Sequence, residues 1–284
     1  MPNSIKQILD KNLQLYNSQE FIKSDPIQIP HRFTKKEDIE IAAFLTSIIA
    51  WGNRKMIINN AVRLMNLMKN APFDFVINSV PDYKNFDGEN PENLSQNSDW
   101  QAIKTFVHRT FNGYDCMIFL LSVKRIYVEF GGLEKVFTDG FNIDKTIFSA
   151  LKYFREIFLQ MPHNKRVERN LSDVQKNSAA KRLNMFLRWL VRQDENGVDF
   201  GLWHGIPTSA LMLPLDIHAG NTSRQLGILY RTQNDWKAVE EVTAVLRGFC
   251  PDDPIKYDFA LFGAGVFKEK KHTDNTDNKI ELGI

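Results

Sequence analysis

The stretch TKKEDIEIAAFLTSIIAWGNRKMI, residues 34–57, decides the fold class. Ile39, Ala42, Ala43, Thr46, Ile49 and Ala50 recur at three- and four-residue intervals, the spacing of one face of an α-helix. Thr34 starts the run, and Glu37 and Asp38 fall in its first turn, where carboxylates suit the positive helix end. Gly52 breaks it, and Met56, Ile57, Ala61, Leu64, Met65 and Met68 then mark a second helix. The same spacing predicts further helices over 114–130 (closed by Gly131 and Gly132), 143–161, 178–192, 234–249 and 254–266. Sustained period-2 alternation is absent and β-branched clusters are sparse, so the predicted fold is all-α.

Residues 1–267 read as one domain. Within it, 79–99 carries Pro81, Gly88 and Pro91 among Asp82, Asp87, Glu89, Glu92 and Asp99, which predicts a peripheral loop or insertion. Residues 268–284 lack hydrophobic periodicity and are expected to form a disordered tail. There is no internal repeat.

Composition excludes several classes. With 284 residues, 43% hydrophobic and 25% charged, the chain is neither disordered nor fibrous and has ample material for a core. The strongest apolar run, from Cys116 to Leu121, falls far short of the roughly 18 residues that span a bilayer. The start, MPNSIKQILDKN, is polar and amphipathic with no apolar signal core, so the expected location is cytoplasmic and off the membrane. Two cysteines, Cys116 and Cys250, exclude a disulfide framework, an iron–sulfur cluster and a zinc ribbon. His31, His108, His163 and His272 show no metal-ligand spacing and read as structural or solvated, so no metal or other cofactor is expected.

Charge is unevenly placed. Between residues 163 and 192 stand Lys165, Arg166, Arg169, Lys176, Lys181, Arg182, Arg188 and Arg192, opposed only by Glu168 and Asp173. That local +6 leaves −4 for the rest of a chain whose net charge is +2. A basic patch on a nearly neutral protein suggests a face for an anion, nucleic acid foremost; a solvated helix face is the plain alternative.

Two segments carry candidate chemistry. In SAAKRLNMFLRWLVR, 178–192, Ser178 is placed to cap a helix whose apolar face is Leu183, Phe186, Leu187, Leu190 and Val191. Lys181, Arg188 and Arg192 fall on the opposite side. The positive helix end and Arg182 disfavour an ammonium at Lys181 and favour the neutral amine, a nucleophile able to form a Schiff base. A surface lysine touching phosphate or water is the plainer reading. In LPLDIHAGNTSRQLGI, 213–228, Asp216 stands at an apolar helix entrance. There it caps the helix, or holds an anion close to a substrate cation. His218, two residues on, points away from it on a helix, so a simple Asp–His dyad is not implied.

Together these segments resemble the helix-hairpin-helix DNA glycosylase superfamily, that of endonuclease III and the 8-oxoguanine DNA glycosylases. PLDIHA is similar to the V-D-T-H-V motif, which places Asp216 on the catalytic carboxylate. SAAKRLNMFLR is similar to the lysine-bearing helix of the archaeal and second-type 8-oxoguanine glycosylases, which places Lys181 on the Schiff-base lysine. EIAAFLTSIIAWGNRKMI, HRTFNGYDCMIFLLSVKRI and DPIKYDFALFGAGV resemble the early core helices and the closing helix. The whole is also similar to a bacterial family of unknown function, which would be a distant branch. Ile217 replaces the motif's usual Thr and Ala219 its second Val. The hairpin equivalent, LSDVQKNSAAK, has no glycine, so backbone anchoring of a phosphate must differ.

The resemblance implies a two-lobed helical domain and a DNA repair glycosylase excising a damaged base such as an oxidised purine, with possible Schiff-base AP lyase activity. The implied partner is duplex DNA with a damaged base. It would lie on Lys165, Arg166, Arg169, Lys176, Ser178, Arg182 and Arg188 and turn the damaged nucleotide into a pocket. Trp203 and His204, in the loop-like GLWHGIP, together with His218 are the expected pocket residues; Phe186 belongs to an apolar face and reads as core. Two other readings stay open: a non-catalytic helical nucleic-acid-binding module, and an unrelated helical protein with a phosphate ligand.

Overall fold

The computed structural model describes residues 2–262, and is helical almost throughout. The helices are α1 (Pro2–Tyr16), α2 (Gln19–Ser24), α3 (Lys36–Ile48), α4 (Arg54–Leu67), the single turn α5 (Pro72–Asp74) and α6 (Ser98–Ile103). They continue with α7 (Gly113–Glu129), α8 (Leu133–Asn142), α9 (Ile147–Phe158), α10 (Lys181–Val191), α11 (Ile217–Gln225) and α12 (Trp236–Phe249). One two-stranded ribbon interrupts them, β1 (Val107–His108) antiparallel to β2 (Phe111–Asn112). The all-α expectation therefore stands. The expected tail, His272 and the last residues of the 254–266 helix lie outside the described residues.

α3 is the hub. Its Ile39, Ile41, Phe44, Leu45 and Ile48 are all buried, so the helix is covered all round rather than along one stripe. Phe44 meets Phe154 of α9 and Phe186 of α10 edge-on, each with ring centroids 5.6 Å apart, and lies near Phe119 of α7. Such edge-to-face pairs add directional preference to burial. Phe186 is thus core, as its place on the apolar face implies. The buried apolar side chains form two clusters: a large one around α3, α7, α9 and α10, and a smaller one of Leu213, Leu215, Ile228, Val239, Val242, Leu246 and Leu261.

Several boundaries differ from the sequence reading. Lys35, not Thr34, precedes α3 and gives no side-chain cap, while Asp38 instead accepts from the Phe73 amide at 2.8 Å. α8 is unanticipated, since it falls between the helices predicted over 114–130 and 143–161; α9 starts only at Ile147, capped by Thr146 through the Ser149 amide, and Ile143 is two-thirds exposed. Residues 79–99 are irregular as expected, yet they join the core. Val80, Tyr83, Phe86 and Pro91 are buried, Tyr83 Oη donates to Glu129 at 2.9 Å, and Trp100 Nε1 donates to the Pro91 carbonyl at 2.9 Å. Isolated apolar residues separated by turns can fill a core without periodicity, which is why the spacing argument missed them.

Candidate functional site

The segment from Lys181 to Asp216 includes the whole of α10 and returns the chain to the same cleft, one of about 870 Å³. Lys181 is the first residue of α10. The chain reaches it through two left-handed residues, Asn177 (φ 62°) and Ala180 (φ 47°). A buried alanine in that region is strained by roughly 1–2 kcal/mol, and it stands directly before the candidate nucleophile. The turn that lacks glycine thus takes left-handed conformations without it. Ser178 does not cap α10: its Oγ accepts from the Ala180 amide at 3.2 Å, and its backbone bridges Asp235.

Asp216 is the N-cap of α11, its Oδ1 accepting from the Ala219 amide at 2.9 Å. Its carbonyl accepts from Asn234 Nδ2 at 3.0 Å; a Cβ on Gly220 would stand 2.6 Å from the Asn234 side chain, so glycine makes that approach possible. Capping and cleft-lining coincide in this carboxylate. Two positive helix ends, those of α10 and α11, therefore border one cavity, which favours anionic groups there.

The opposite wall is the turn from Ala50 to Arg54. Gly52 has φ +101°, a conformation costly for other residues, and a Cβ there would meet Arg109 Nη1 at 2.9 Å. Trp51 lines the cleft, with the Arg109 guanidinium 4.7 Å from its ring centre and His108 edge-on at 5.5 Å. Asn53 caps α4 at the Met56 amide. Arg54 lies 5.1 Å from the ring centre of Phe262, and His218 meets the same ring edge-on.

Buried charge borders this wall. Asp25 accepts from the Ile27 amide at 3.1 Å, and burial raises its pKa against the pull of that bond and of Arg54, Arg188 and Lys181. Burial pushes the Asp258 carboxyl up to about 6; Arg188 and Lys181 oppose the shift, and Asp216 adds to it. Arg188 joins Asp258 to Asp199, its Nε 3.2 Å from Asp199 Oδ1. Arg192 pairs with Asp194, Asp199 and Asp253 at 2.7, 2.9 and 3.0 Å.

These pairs correct the expected DNA-binding set. Arg188 is 4% exposed and consumed by carboxylates, so it cannot meet a phosphate. Arg182 lines the cleft, but its Nη1 donates to the Ile48 carbonyl at the C-terminal end of α3, and burial pulls its pKa down to about 10. Ser178 is tied up as described. Arg166 pairs with buried Asp115 at 3.1 Å and lines a separate cavity with Asp87 and Glu89. Lys165, Arg169 and Lys176 are exposed, Lys176 beside Asp173 at 3.5 Å.

The pocket residues divide as well. Trp203 is 1% exposed, donates Nε1 to Glu40 at 2.8 Å and packs on Phe137 and Phe186; it is core. Its loop reads as open because contacts that bury it come from α3 and α8, far away in sequence. His204 is exposed, its amide donating to Glu134, and does not line the cleft. His218 does line it, together with Lys181 and Asp216. Asp25, Trp51, Arg54 and Phe262, which also line it, were missed, although the Trp51-Gly52-Asn53 break between two helices is a visible signal. His31 binds the Val198 carbonyl and stacks on Phe200, and His108 binds Asn60. Among the described residues no group of three or more His, Cys, Asp or Glu is placed to hold a metal ion, and no helix is long and apolar enough to cross a membrane.

The chain belongs to the family described as a protein of unknown function (DUF2400), which matches residues 25–267. That span contains every cleft residue named above, from Asp25 to Phe262. No curated protein and no solved structure matches the chain.

Proposed function

We propose that this protein is a DNA repair glycosylase with Schiff-base lyase activity, acting on a damaged base turned out of a duplex. One observation carries the reading: Lys181 and Asp216, picked out from two separate motifs, line the same cleft. In this mechanism the Lys181 amine attacks the anomeric carbon of the extruded nucleotide, and the glycosidic bond breaks with the base leaving as its anion, which takes a proton. Asp216 faces the positive charge that develops on the sugar. Ring opening gives an imine between Lys181 and the sugar. Loss of the C2′ proton then expels the 3′-phosphate and cleaves the strand. A narrowed set of exposed cations, Lys165, Arg169 and Lys176, supports the duplex more weakly than the sequence charge suggests.

Borohydride trapping on duplexes carrying different lesions tests this. Wild type becomes covalently joined to one of them, Lys181→Gln does not, and Asp216→Asn, compared at equal folded fraction, excises orders of magnitude more slowly. Trapping of Lys181→Gln at the wild-type level would place the nucleophile elsewhere. If wild type traps no lesion, a non-catalytic nucleic-acid-binding role takes over, one that the glycine-free turn and the capping role of Asp216 both favour.

A further inference from the structure

Four of the five tryptophans, Trp100, Trp189, Trp203 and Trp236, are buried at 5% exposure or less, whereas Trp51 is half-buried on the cleft wall. Its position is built rather than incidental. The Trp51 carbonyl meets His108 Nε2 at 3.2 Å, and the two rings stand nearly perpendicular with centroids 5.5 Å apart. The β1–β2 turn holds Arg109, in the left-handed conformation (φ 56°), over one indole face at 4.7 Å. Gly52, by lacking a Cβ, leaves room for that guanidinium. An aromatic ring so braced loses little freedom when a planar ligand settles on it. The cleft is also bordered by Arg54 and Lys181, which suit a ligand carrying phosphates on either side of a flat ring.

We propose that Trp51 is the stacking platform on which the cleft receives a single DNA nucleobase, with Arg54 placed for its flanking phosphate. This rests on the DNA-processing reading of the cleft but not on catalysis, since a base can stack there whether or not Lys181 reacts. It also replaces Trp203, which the core has claimed.

The four buried indoles make Trp51 a selective reporter. The full-length protein is titrated, with tryptophan emission followed, against a duplex containing one mismatched nucleotide, which is less costly to extrude than a paired one. The mismatched duplex is expected to quench wild-type emission, and the quench disappears in Trp51→Phe. Trp51→Ala weakens binding by roughly 5- to 150-fold, the range set by losing one base–aromatic stack, while Trp51→Phe, keeping an aromatic face, weakens it less. Equal affinity of Trp51→Ala and wild type overturns the proposal and leaves the DNA reading standing. A quench that persists in Trp51→Phe overturns it too, because the signal then comes from a buried indole. If wild type binds no duplex at low salt by an independent fluorescence-anisotropy measurement on labelled DNA, this proposal and the DNA reading fall together.

Discussion

Replacing Arg188 by methionine separates the two roles this arginine has been given. As a DNA contact it would be exposed, and its loss would leave stability unchanged while reducing the salt slope of duplex binding by about 1. The structure instead puts it between Asp199 and Asp258, with its guanidinium 4.4 Å from the centre of the Phe259 ring. At an effective dielectric of about 20, charges 3.2 Å apart attract by about 5 kcal/mol, offset in the native protein by the cost of desolvating them. Removing only the cation keeps the desolvated carboxylates and loses the attraction, so Arg188→Met costs about 3–5 kcal/mol. That corresponds to a fall in Tm of roughly 6–20 °C. The loss depends on pH with a definite sign. Asp258 already stands at about 6 against 3.8, through burial, and burial also raises Asp199; without Arg188 both rise further. The native variant then holds protons that its unfolded chain releases, so its stability falls as pH rises through this window. Urea denaturation followed by circular dichroism should therefore show a larger deficit at about pH 8 than at about pH 5. A wild-type midpoint at both pH values would refute the buried-network account.

Asp235 behaves oppositely: the Arg231 hydrogen bond holds its carboxyl at about 2 against burial, with the Ala238 amide and Asn177 helping. Its stabilisation is thus complete above about pH 4 and is lost as pH falls towards 2; Asp235→Ala should cost about 0.5–2 kcal/mol at neutral pH from the α12 cap alone, and the gap to wild type in acid denaturation should close near pH 2. Gly113→Ala should lower the unfolding free energy measured by urea denaturation by about 1–3 kcal/mol or more, because its Cβ would stand 2.1 Å from the Lys104 carbonyl oxygen; Gly248→Ala, exposed with open space, should raise stability by about 0.5–1 kcal/mol. Reversing the exposed Lys165, Arg169 and Lys176 to glutamate should weaken duplex binding and flatten its salt slope by roughly 3, measured by anisotropy across salt concentrations.

What the chain's own order determines here is local. Helix class follows from three- and four-residue spacing because the i to i+4 hydrogen bond needs only neighbours, and Ile39 to Ala50 announces α3 with no knowledge of what surrounds it. Asp216 is legible for the same reason, since a cap is a contact with an amide three residues on. The fate of the cations is not local. Arg188 and Arg192 share one helix face with Lys181, but only the fold brings Asp199, Asp258 and Asp253, 7 to 70 residues later, against the first two and leaves Lys181 at the cleft. Trp51 and Trp203 part likewise: both stand between helices, and only packing decides that α3 and α8 bury one while the β1–β2 turn braces the other at the wall. Charge and aromaticity belong to the residue; whether they face solvent, a carboxylate or a ligand is set by long-range burial, where desolvation makes an unpaired group costly and so selects its partner.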